Sequence, residues 1–354
     1  MSEKQINGFD IEISSKISLA KAKLKALTEE VKTLELALAP LPAPGTSKRI
    51  AALDGGGYSA ELFGVTIFPV RAAGAVFEEG KEPLWIEKNN VDILTVEEDP
   101  KNFGSLLRDI LEVEVAIELA QHKPDFLLLD GSITNLGYKG IPRSLQFLLE
   151  EKKELSEEGI GSRFHKLFLK YLRKAYELIE TCIANDVILI GVSKDSRANV
   201  LVKKLYGKKK IPAISDTSLI RLKEGGKTGF TTPIDFKPRI RDIRKRIWEA
   251  ANVFTNEKLQ SYYLTYFILK ENAIPIRVDS LLPQKDKLKD IQEMMVTYHD
   301  DNGFITPPYL THKRAHMSPQ LGERLVNLII ESVLDDSPEL YQAFLSRKRR
   351  DIIQ

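Results

Sequence analysis

Apolar runs that end in an acidic residue occur twice along this chain, and they predict buried strands. Residues 50–53 lead into Asp54 and three glycines, and residues 126–129 lead into Asp130. A short apolar run bounded by turn residues is typical of a strand inside a sheet. We therefore expect two strands that each deliver an aspartate to one end of a sheet. The glycines after Asp54 predict a sharp turn and close approach of a ligand to the backbone.

Similar patterns predict six further strands. The first three would form a meander after the Asp54 strand. The fourth ends in a polar cluster, and the last two would form a late pair. The predicted strands are residues 65–77, 84–86, 91–96, 187–194, 262–269 and 274–278, the last of which ends at Asp279.

Apolar positions that step by three and four residues predict helices. The longest such pattern covers residues 11–39, and a proline-rich linker at residues 39–45 follows it. Its apolar seam packs either on its own domain or on a partner helix, and the pattern supports both equally. The seam consists of Ile17, Ala20, Leu24, Leu27, Val31, Leu34 and Leu38. Further helices are predicted at residues 105–121, 141–183, 285–298 and 319–334, and a proline-rich loop at residues 303–309 leads to His312.

Composition narrows the class of protein. The chain has 354 residues, of which 43% are apolar and 29% charged, as in globular proteins with a large core. Its net charge of +2 argues against a generally basic surface, so any nucleic-acid interface must be local. Cys182 is the one cysteine, which excludes an intrachain disulfide. With neither a signal segment nor a long apolar span, we expect a cytoplasmic protein.

The two strand-end aspartates suggest a divalent cation. Mg²⁺ and Mn²⁺ prefer carboxylate oxygens, and a cation between such acids and a phosphodiester activates water and neutralises the leaving oxygen. The helix before Asp130 offers a third acid, either Glu112 or Glu114. Two residues apart, these acids cannot point the same way, and either alone is an ordinary solvent-facing residue. An isolated aspartate before glycine is also common in turns, so the pair is the informative signal.

Basic residues at and just after the end of the predicted strand 187–194 suggest contacts with phosphate. Lys194 would bind phosphate through its single charged nitrogen, and Arg197 through two parallel N–H groups of its guanidinium. Both residues are equally compatible with surface salt bridges. Basic clusters at residues 203–210 and 237–246 either line a DNA channel or form solvated faces.

Six short motifs follow one another along the chain. They are residues 51–56, Leu111 and Glu112 with Ala116, residues 128–132, residues 192–197, residues 276–279, and residues 303–312. Together they closely resemble the NurA family of DNA-repair nucleases over about residues 48–335. The resemblance implies an α/β fold with a ribonuclease H-like mixed sheet flanked by helices. It also implies a manganese-dependent deoxyribonuclease, with Mg²⁺ as the alternative ion, and a homodimer that works with a HerA-like hexameric ATPase in DNA end resection.

By position, the resemblance assigns the catalytic and metal-binding roles to Asp54, Glu112, Asp130 and His312. Glu112 matches the family register better than Glu114. The chain departs from the family at Phe304, where an active-site tyrosine is expected. Additional candidates for the site are Glu114, Asp279, and Tyr309 or Tyr298 as the source of the missing hydroxyl.

The resemblance favours exonuclease and single-strand endonuclease activity over two alternatives. One is a catalytically weak adaptor that binds DNA and recruits an ATPase. The other is a sugar kinase-like ATPase, prompted by the glycines after Asp54. We expect three segments: residues 1–47 as helix and linker, residues 48–335 as the nuclease domain with a helical insertion at 141–183, and residues 336–354 as a basic tail.

Overall fold

A computed structural model describes residues 3–32, 34–95, 100–151, 162–194, 196–207 and 214–345. The strands are β1 (Leu38–Ala39), β2 (Ile50–Gly57), β3 (Ala60–Glu61), β4 (Val65–Phe77), β5 (Leu84–Thr95), β6 (Phe126–Asp130), β7 (Ile188–Ser193), β8 (Gly229–Thr231), β9 (Ile234–Phe236), β10 (Tyr262–Ile268) and β11 (Ile276–Leu281). The helices are α1 (Glu3–Val31), α2 (Pro100–Gln121), α3 (Thr134–Tyr138), α4 (Arg143–Glu151), α5 (Arg163–Ala184), α6 (Val200–Tyr206), α7 (Asp216–Glu224), α8 (Asp242–Ala251), α9 (Leu288–Thr297), α10 (Thr306–Ala315), α11 (Pro319–Asp336) and α12 (Pro338–Leu340).

All eleven strands belong to one sheet. Its order is β1-β8-β10-β11-β7-β6-β2-β4-β3, with β5 added beside β4 and β9 beside β10. The three central strands β2, β6 and β7 are parallel, and the other pairs are antiparallel. The predicted α/β fold with a mixed sheet flanked by helices is confirmed. Its assignment to the ribonuclease H-like class stays a prediction.

The two faces of the central strands pack against different helices. Ala51 and Leu53 of β2 join a cluster with α2 and α5, whereas Ile50 and Ala52 join a cluster that contains residues of α9. Alternation of side chains along a strand explains this division. By the same alternation, Asp54 projects on the side of Ala52, and the position of Gly55 faces α2.

The N-terminal helix begins and ends eight residues earlier than the predicted range 11–39. It ends at Val31, Leu34 lies in the following segment, and Leu38 pairs with Thr231 as part of β1. The seven-residue seam therefore does not lie on one helix. Ile17 and Leu24 are 49% and 65% exposed, so this part of the seam is uncovered within the chain.

Several other predicted boundaries were wrong. One strand, β5, replaces the two predicted at residues 84–86 and 91–96, because Leu84 to Thr95 pair with β4 throughout. The glycines after Asp54 continue β2 as far as Gly57 and do not form a turn. Asp279 lies inside β11, which runs on to Leu281.

The predicted loop before His312 is largely the first turn of α10, which tolerates its two prolines because the first amides of a helix have no intrahelical partner. The predicted helical region 141–183 contains α4 and α5, and residues 152–161 between them lie outside the described part of the chain. Residues 208–210 of the first basic cluster and 347–350 of the basic tail also lie outside it. Among the described helices, none combines the length and apolar character needed to cross a bilayer.

Candidate metal centre

Strand register brings Asp54 and Asp130 side by side. In the parallel pair β2–β6, Leu53 lies opposite Leu129, so the next residue of each strand is an aspartate. His312 of α10 completes a group in which one ligand atom from each residue lies within 4.8 Å of the others. The sheet end therefore gathers two carboxylates and an imidazole, as the sequence predicted for its two aspartates.

Close packing of α10 on β2 explains why His312 reaches this point. A Cβ atom at Gly56 would lie 2.1 Å from the carbonyl oxygen of Ala315, so only glycine allows the end of α10 to approach the strand. Arg314 secures the same helix: its Nε lies 2.5 Å from Glu87 Oε1, and its guanidinium lies 4.9 Å from the centre of the Trp85 ring. The helix is thus anchored on two strands beside the histidine.

One close contact joins two members of the group, and a second joins Asp130 to Lys194 outside it. His312 Nδ1 lies 2.5 Å from Asp54 Oδ2, and Lys194 Nζ donates to Asp130 Oδ2 at 3.1 Å. Burial raises the pKa of Asp130, Lys194 opposes this, and the Asp54 carboxylate adds to it. Two carboxylates that disfavour each other's charge are a setting that a bound cation stabilises.

Glu112 reaches the end of β2 from the opposite face of the sheet. A Cβ at Gly55 would lie 2.1 Å from Glu112 Oε1, so the missing side chain makes room for this carboxyl group. Arg108 Nε lies 3.1 Å from the same oxygen. Burial, together with the Asp109 and Asp54 carboxylates, raises the pKa of Glu112 to about 8 against the opposing effect of Arg108.

Glu114 has a different environment. Its carboxylate lies 3.0 Å from Lys170 Nζ, which belongs to α5. The two candidate acids on α2 are thus separated by the helix itself: Glu112 borders the strand ends, and Glu114 pairs across two helices. This placement favours Glu112 as the third acid of the centre.

Sequence reasoning missed three residues beside Glu112. Arg108, Asp109 and Lys139 line the same cavity of about 180 Å³ as Glu112 and Asp130. Lys139 forms an ion pair with Asp109, and Arg108 Nη2 lies 3.3 Å from Asp109 Oδ1. The spacing of Arg108 and Glu112 by four residues was a visible signal of an ion pair on one helix face. The contact with Lys139 had no local signal, since 30 residues separate it from Asp109.

Three further candidates do not join the group of three. Arg197 is exposed in the segment after β7. Tyr309 lies one turn before His312 on α10, where Lys313 Nζ sits 4.5 Å from the centre of its ring. Asp279 is buried in β11, and its Oδ2 accepts a hydrogen bond from Ser132 Oγ at 2.7 Å.

Tyr298 is misplaced for the role suggested by the departure at Phe304. Its hydroxyl accepts from the Lys48 amide at 2.9 Å and donates to the Lys48 carbonyl at 2.8 Å. Lys48 precedes β2, so this hydroxyl is used at the end of the strand opposite Asp54. Phe304 is exposed in the loop between α9 and α10. Of the two tyrosines considered, only Tyr309 lies on the element that carries His312.

The residues present fit a hard divalent cation. Two carboxylates and one imidazole nitrogen form a donor set that suits Mn²⁺, and carboxylate oxygens also suit Mg²⁺. Glu112 lies close enough to this group for the Asp54 carboxylate to contribute to its raised pKa. Lys194 counterbalances Asp130, with its Nζ 3.1 Å from Asp130 Oδ2.

Comparison with known proteins places these features in context. The NurA domain family model matches residues 48–317. The NurA nuclease from Sulfolobus solfataricus is similar over 95% of this chain and 98% of that one, with 20% identity and a TM-score of 0.65. The match to a NurA structure with manganese covers 89% of this chain and 97% of the other chain, with 15% identity and a TM-score of 0.61.

A third similar structure is a NurA bound to dAMP and manganese. This match covers 90% of this chain and 94% of the other chain, with 15% identity and a TM-score of 0.53. At these identities the structural matches show a shared fold. No curated protein matches the sequence.

Proposed function

This chain belongs to the NurA family, and on that basis we propose that it is a metal-dependent DNA nuclease that hydrolyses phosphodiester bonds. The observation that supports this most directly is the group formed by Asp54, Asp130 and His312, whose ligand atoms lie within 4.8 Å of one another. The identity of the ion is part of the proposal: Mn²⁺ is favoured because related NurA structures contain manganese.

Each residue of the centre has a distinct role in the proposed reaction. A bound divalent cation supplies activation of water and neutralisation of charge on the leaving oxygen. Asp54, Asp130 and His312 hold it, and Glu112 approaches from the other face of the sheet. Lys194, which lies beside Asp130, binds a non-bridging oxygen of the phosphodiester and so orients it for attack.

The finer features of the proposal follow from the family. We propose exonuclease and single-strand endonuclease activity in DNA end resection, a homodimer, and association with a HerA-like hexameric ATPase. The exposed apolar side chains of α1 provide a surface for one of these partners, because an isolated helix of this kind is marginal in water. Light scattering tests the homodimer: a mass near 40.0 kDa over the whole micromolar range would contradict it.

One experiment tests the activity itself. The purified chain is incubated with end-labelled linear DNA, single- and double-stranded, without divalent metal and with Mn²⁺ or Mg²⁺. Cleavage that requires a divalent ion supports the proposal, and the length of the labelled product separates exonuclease from endonuclease action. DNA binding without cleavage in any of these conditions would favour the catalytically weak adaptor instead.

A further inference from the structure

The turn that follows Asp130 is held from a distant strand. Asp279 of β11 lies opposite Gly191 of β7, and Gly191 lies opposite Leu129 of β6. Because Gly191 has no side chain, the turn folds over it: a Cβ there would lie 2.6 Å from both the Gly131 carbonyl oxygen and the Ile133 amide nitrogen. Asp279 can therefore reach across one strand to the segment that leaves β6.

The contact is a buried hydrogen bond with an ionic partner. Asp279 is fully buried, and its Oδ2 accepts from Ser132 Oγ at 2.7 Å. Arg277 Nη2 lies 3.6 Å from that carboxylate oxygen and donates to Ser132 Oγ at 3.3 Å. Ser132 in turn is linked to Thr134, whose Oγ1 lies 2.7 Å from Ser132 Oγ. Such hydrogen bonds to a charged group are stronger than those between neutral groups.

The turn needs such an anchor because of its own backbone. Between Asp130 and Ser132 lies Gly131, whose φ of +123° belongs to a region that side-chain-bearing residues rarely adopt. Because glycine adopts positive and negative φ angles about equally well, Gly131 alone does not fix the direction of the chain. The Gly131 amide donates to the Val192 carbonyl at 2.9 Å, and Ser132 provides the next fixed point.

We propose that Asp279 is a positioning residue for the metal centre, acting through Ser132 to fix the direction in which Asp130 leaves β6. This inference rests on the proposed metal-dependent function. Asp279 and Ser132 do not touch the cation or the DNA in this scheme. They preorganise the Asp130 carboxylate beside Asp54 and His312, as partners of metal ligands do in other metalloproteins.

Mn²⁺ binding to the full chain, measured by titration calorimetry, tests the inference. Ser132→Ala removes the side-chain hydrogen bond to Asp279 but keeps the Arg277–Asp279 pair and the interaction of Asp279 with the backbone of Ile133 and Thr134. We expect this variant to weaken Mn²⁺ binding about tenfold. Ser132→Thr keeps the hydroxyl and should retain most of the affinity. Mn²⁺ titrations of DNA cleavage should show the same order, with the saturated rate changed less than the half-saturating concentration.

Ser280→Ala is the matched control. Ser280 is the neighbour of Asp279 and is fully buried; its Oγ donates to the Leu189 carbonyl at 2.8 Å and lies 3.2 Å from Gln284 Oε1, so this variant also loses a hydrogen-bonded serine hydroxyl. The melting temperature of the metal-free protein should fall for both alanine variants, but Mn²⁺ affinity should fall only for Ser132→Ala. Equal Mn²⁺ affinities of Ser132→Ala and wild type, or an equal loss in Ser280→Ala, would overturn the inference.

A second pair of variants tests Asp279 directly. Asp279→Asn and Asp279→Ala both remove the charge beside Arg277, but only asparagine keeps an oxygen that can accept from Ser132. We expect Asn to bind Mn²⁺ more tightly than Ala, and equal binding would contradict the inference. If wild-type protein neither binds Mn²⁺ nor cleaves DNA, the proposed function fails. If it does both and the Ser132 and Asp279 variants bind as tightly as wild type, only the positioning role fails.

Discussion

The carboxylate of Asp216 and those of the metal centre differ in how completely the protein satisfies them. Asp216 is fully buried and accepts hydrogen bonds from the amides of Leu201 and Val202, at 3.1 and 2.9 Å, and from the hydroxyl of Tyr266 at 2.7 Å. These donors come from α6 and β10, so the carboxylate ties two elements to the start of α7. Its charge is fully used in holding the fold together.

Asp54 and Asp130 are turned toward each other. Their nearest charged or titratable neighbours are His312 and Lys194, and the raised pKa of Asp130 shows that burial and Asp54 outweigh the lysine. A fold gains nothing from placing two acids together, whereas a cation site requires it. The comparison teaches that the arrangement of donors around an acid, more than its burial, separates a structural carboxylate from a functional one.

The largest expected effect is on the functional side of this comparison. Asp54→Ala and Asp130→Ala should each reduce metal-dependent cleavage by about a hundredfold or more, because each removes charge needed to hold the cation. The melting temperature of the protein without metal should stay the same or rise, since one of two repelling acids is gone. The measurements are cleavage of end-labelled DNA and thermal unfolding.

Asp235→Ala is the control for these variants, because Asp235 forms an exposed ion pair with Lys285 at 2.6 Å on a different part of the sheet. It should leave cleavage unchanged. Near-wild-type activity in either Asp54→Ala or Asp130→Ala would remove that residue from the centre.

For the structural carboxylate Asp216 we expect the reverse result, a loss of stability with unchanged cleavage. Asp216→Ala leaves two buried amides and one hydroxyl without their acceptor, and should lower the free energy of unfolding by about 3 kcal/mol. Cleavage per folded molecule should not change. Tyr266→Phe, which removes only one of the three donors, should cost about 1 kcal/mol. Urea unfolding, followed beside the nuclease assay, decides the matter; an inactive Asp216→Ala protein of wild-type stability would break the comparison.

Glu112 and Glu114 apply the comparison within one helix. Glu112→Gln should lower cleavage about tenfold, since this carboxyl lies at the end of β2 beside Asp54, which contributes to its raised pKa. Glu114→Gln disrupts only a partly exposed pair with Lys170, and should change cleavage less than about twofold and stability by less than about 1 kcal/mol. Steady-state cleavage by the two variants is compared at saturating Mn²⁺. The opposite ranking would transfer the role to Glu114.

The smallest effect on the protein itself is expected from truncation of the N-terminal helix, whose apolar side chains are exposed. Residues 13–26 are exposed, whereas Val31 packs with Val202 and Leu219 and should be kept. A truncation that removes residues 1–26 should leave cleavage and stability nearly unchanged but weaken association with a HerA-like ATPase. Co-elution of the full and truncated chains with the ATPase is the measurement. Unchanged co-elution would place the ATPase surface elsewhere, and loss of the dimer would assign α1 to the subunit interface.

Strand-end residues were predictable because their signal is local. The apolar runs before Asp54 and Asp130 define both the strand and its last residue, and a parallel register then places the acids together. Gly55 and Gly56 were misread for a physical reason: pairing with β4 keeps them extended, and their missing side chains admit Glu112 and α10. The need for glycine arises from distant elements that the local sequence does not reveal.

Errors in the helices and edge strands have the same origin. Leu34 and Leu38 continue the spacing of α1, yet Leu34 packs beside Val31 and Leu38 joins the cluster under β10, because each finds its own partner after the helix has ended. The polar residues Asn89 and Asn90 lie between the two predicted strands, but their pairing with Arg71 and Val70 of β4 maintains one strand. Tertiary pairing overrides the local preference in both cases.

The contact between His312 and Asp54 joins residues 258 positions apart. During synthesis at about 5–20 residues per second, roughly 10–50 seconds pass between the appearance of the aspartate and that of the histidine. From the synthesis of Asp130 until that of His312, the ribosome carries a chain that has both aspartates and lacks the imidazole and the helix that presents it. The order of the residues along the chain thus delays completion of the centre until most of the protein has been translated.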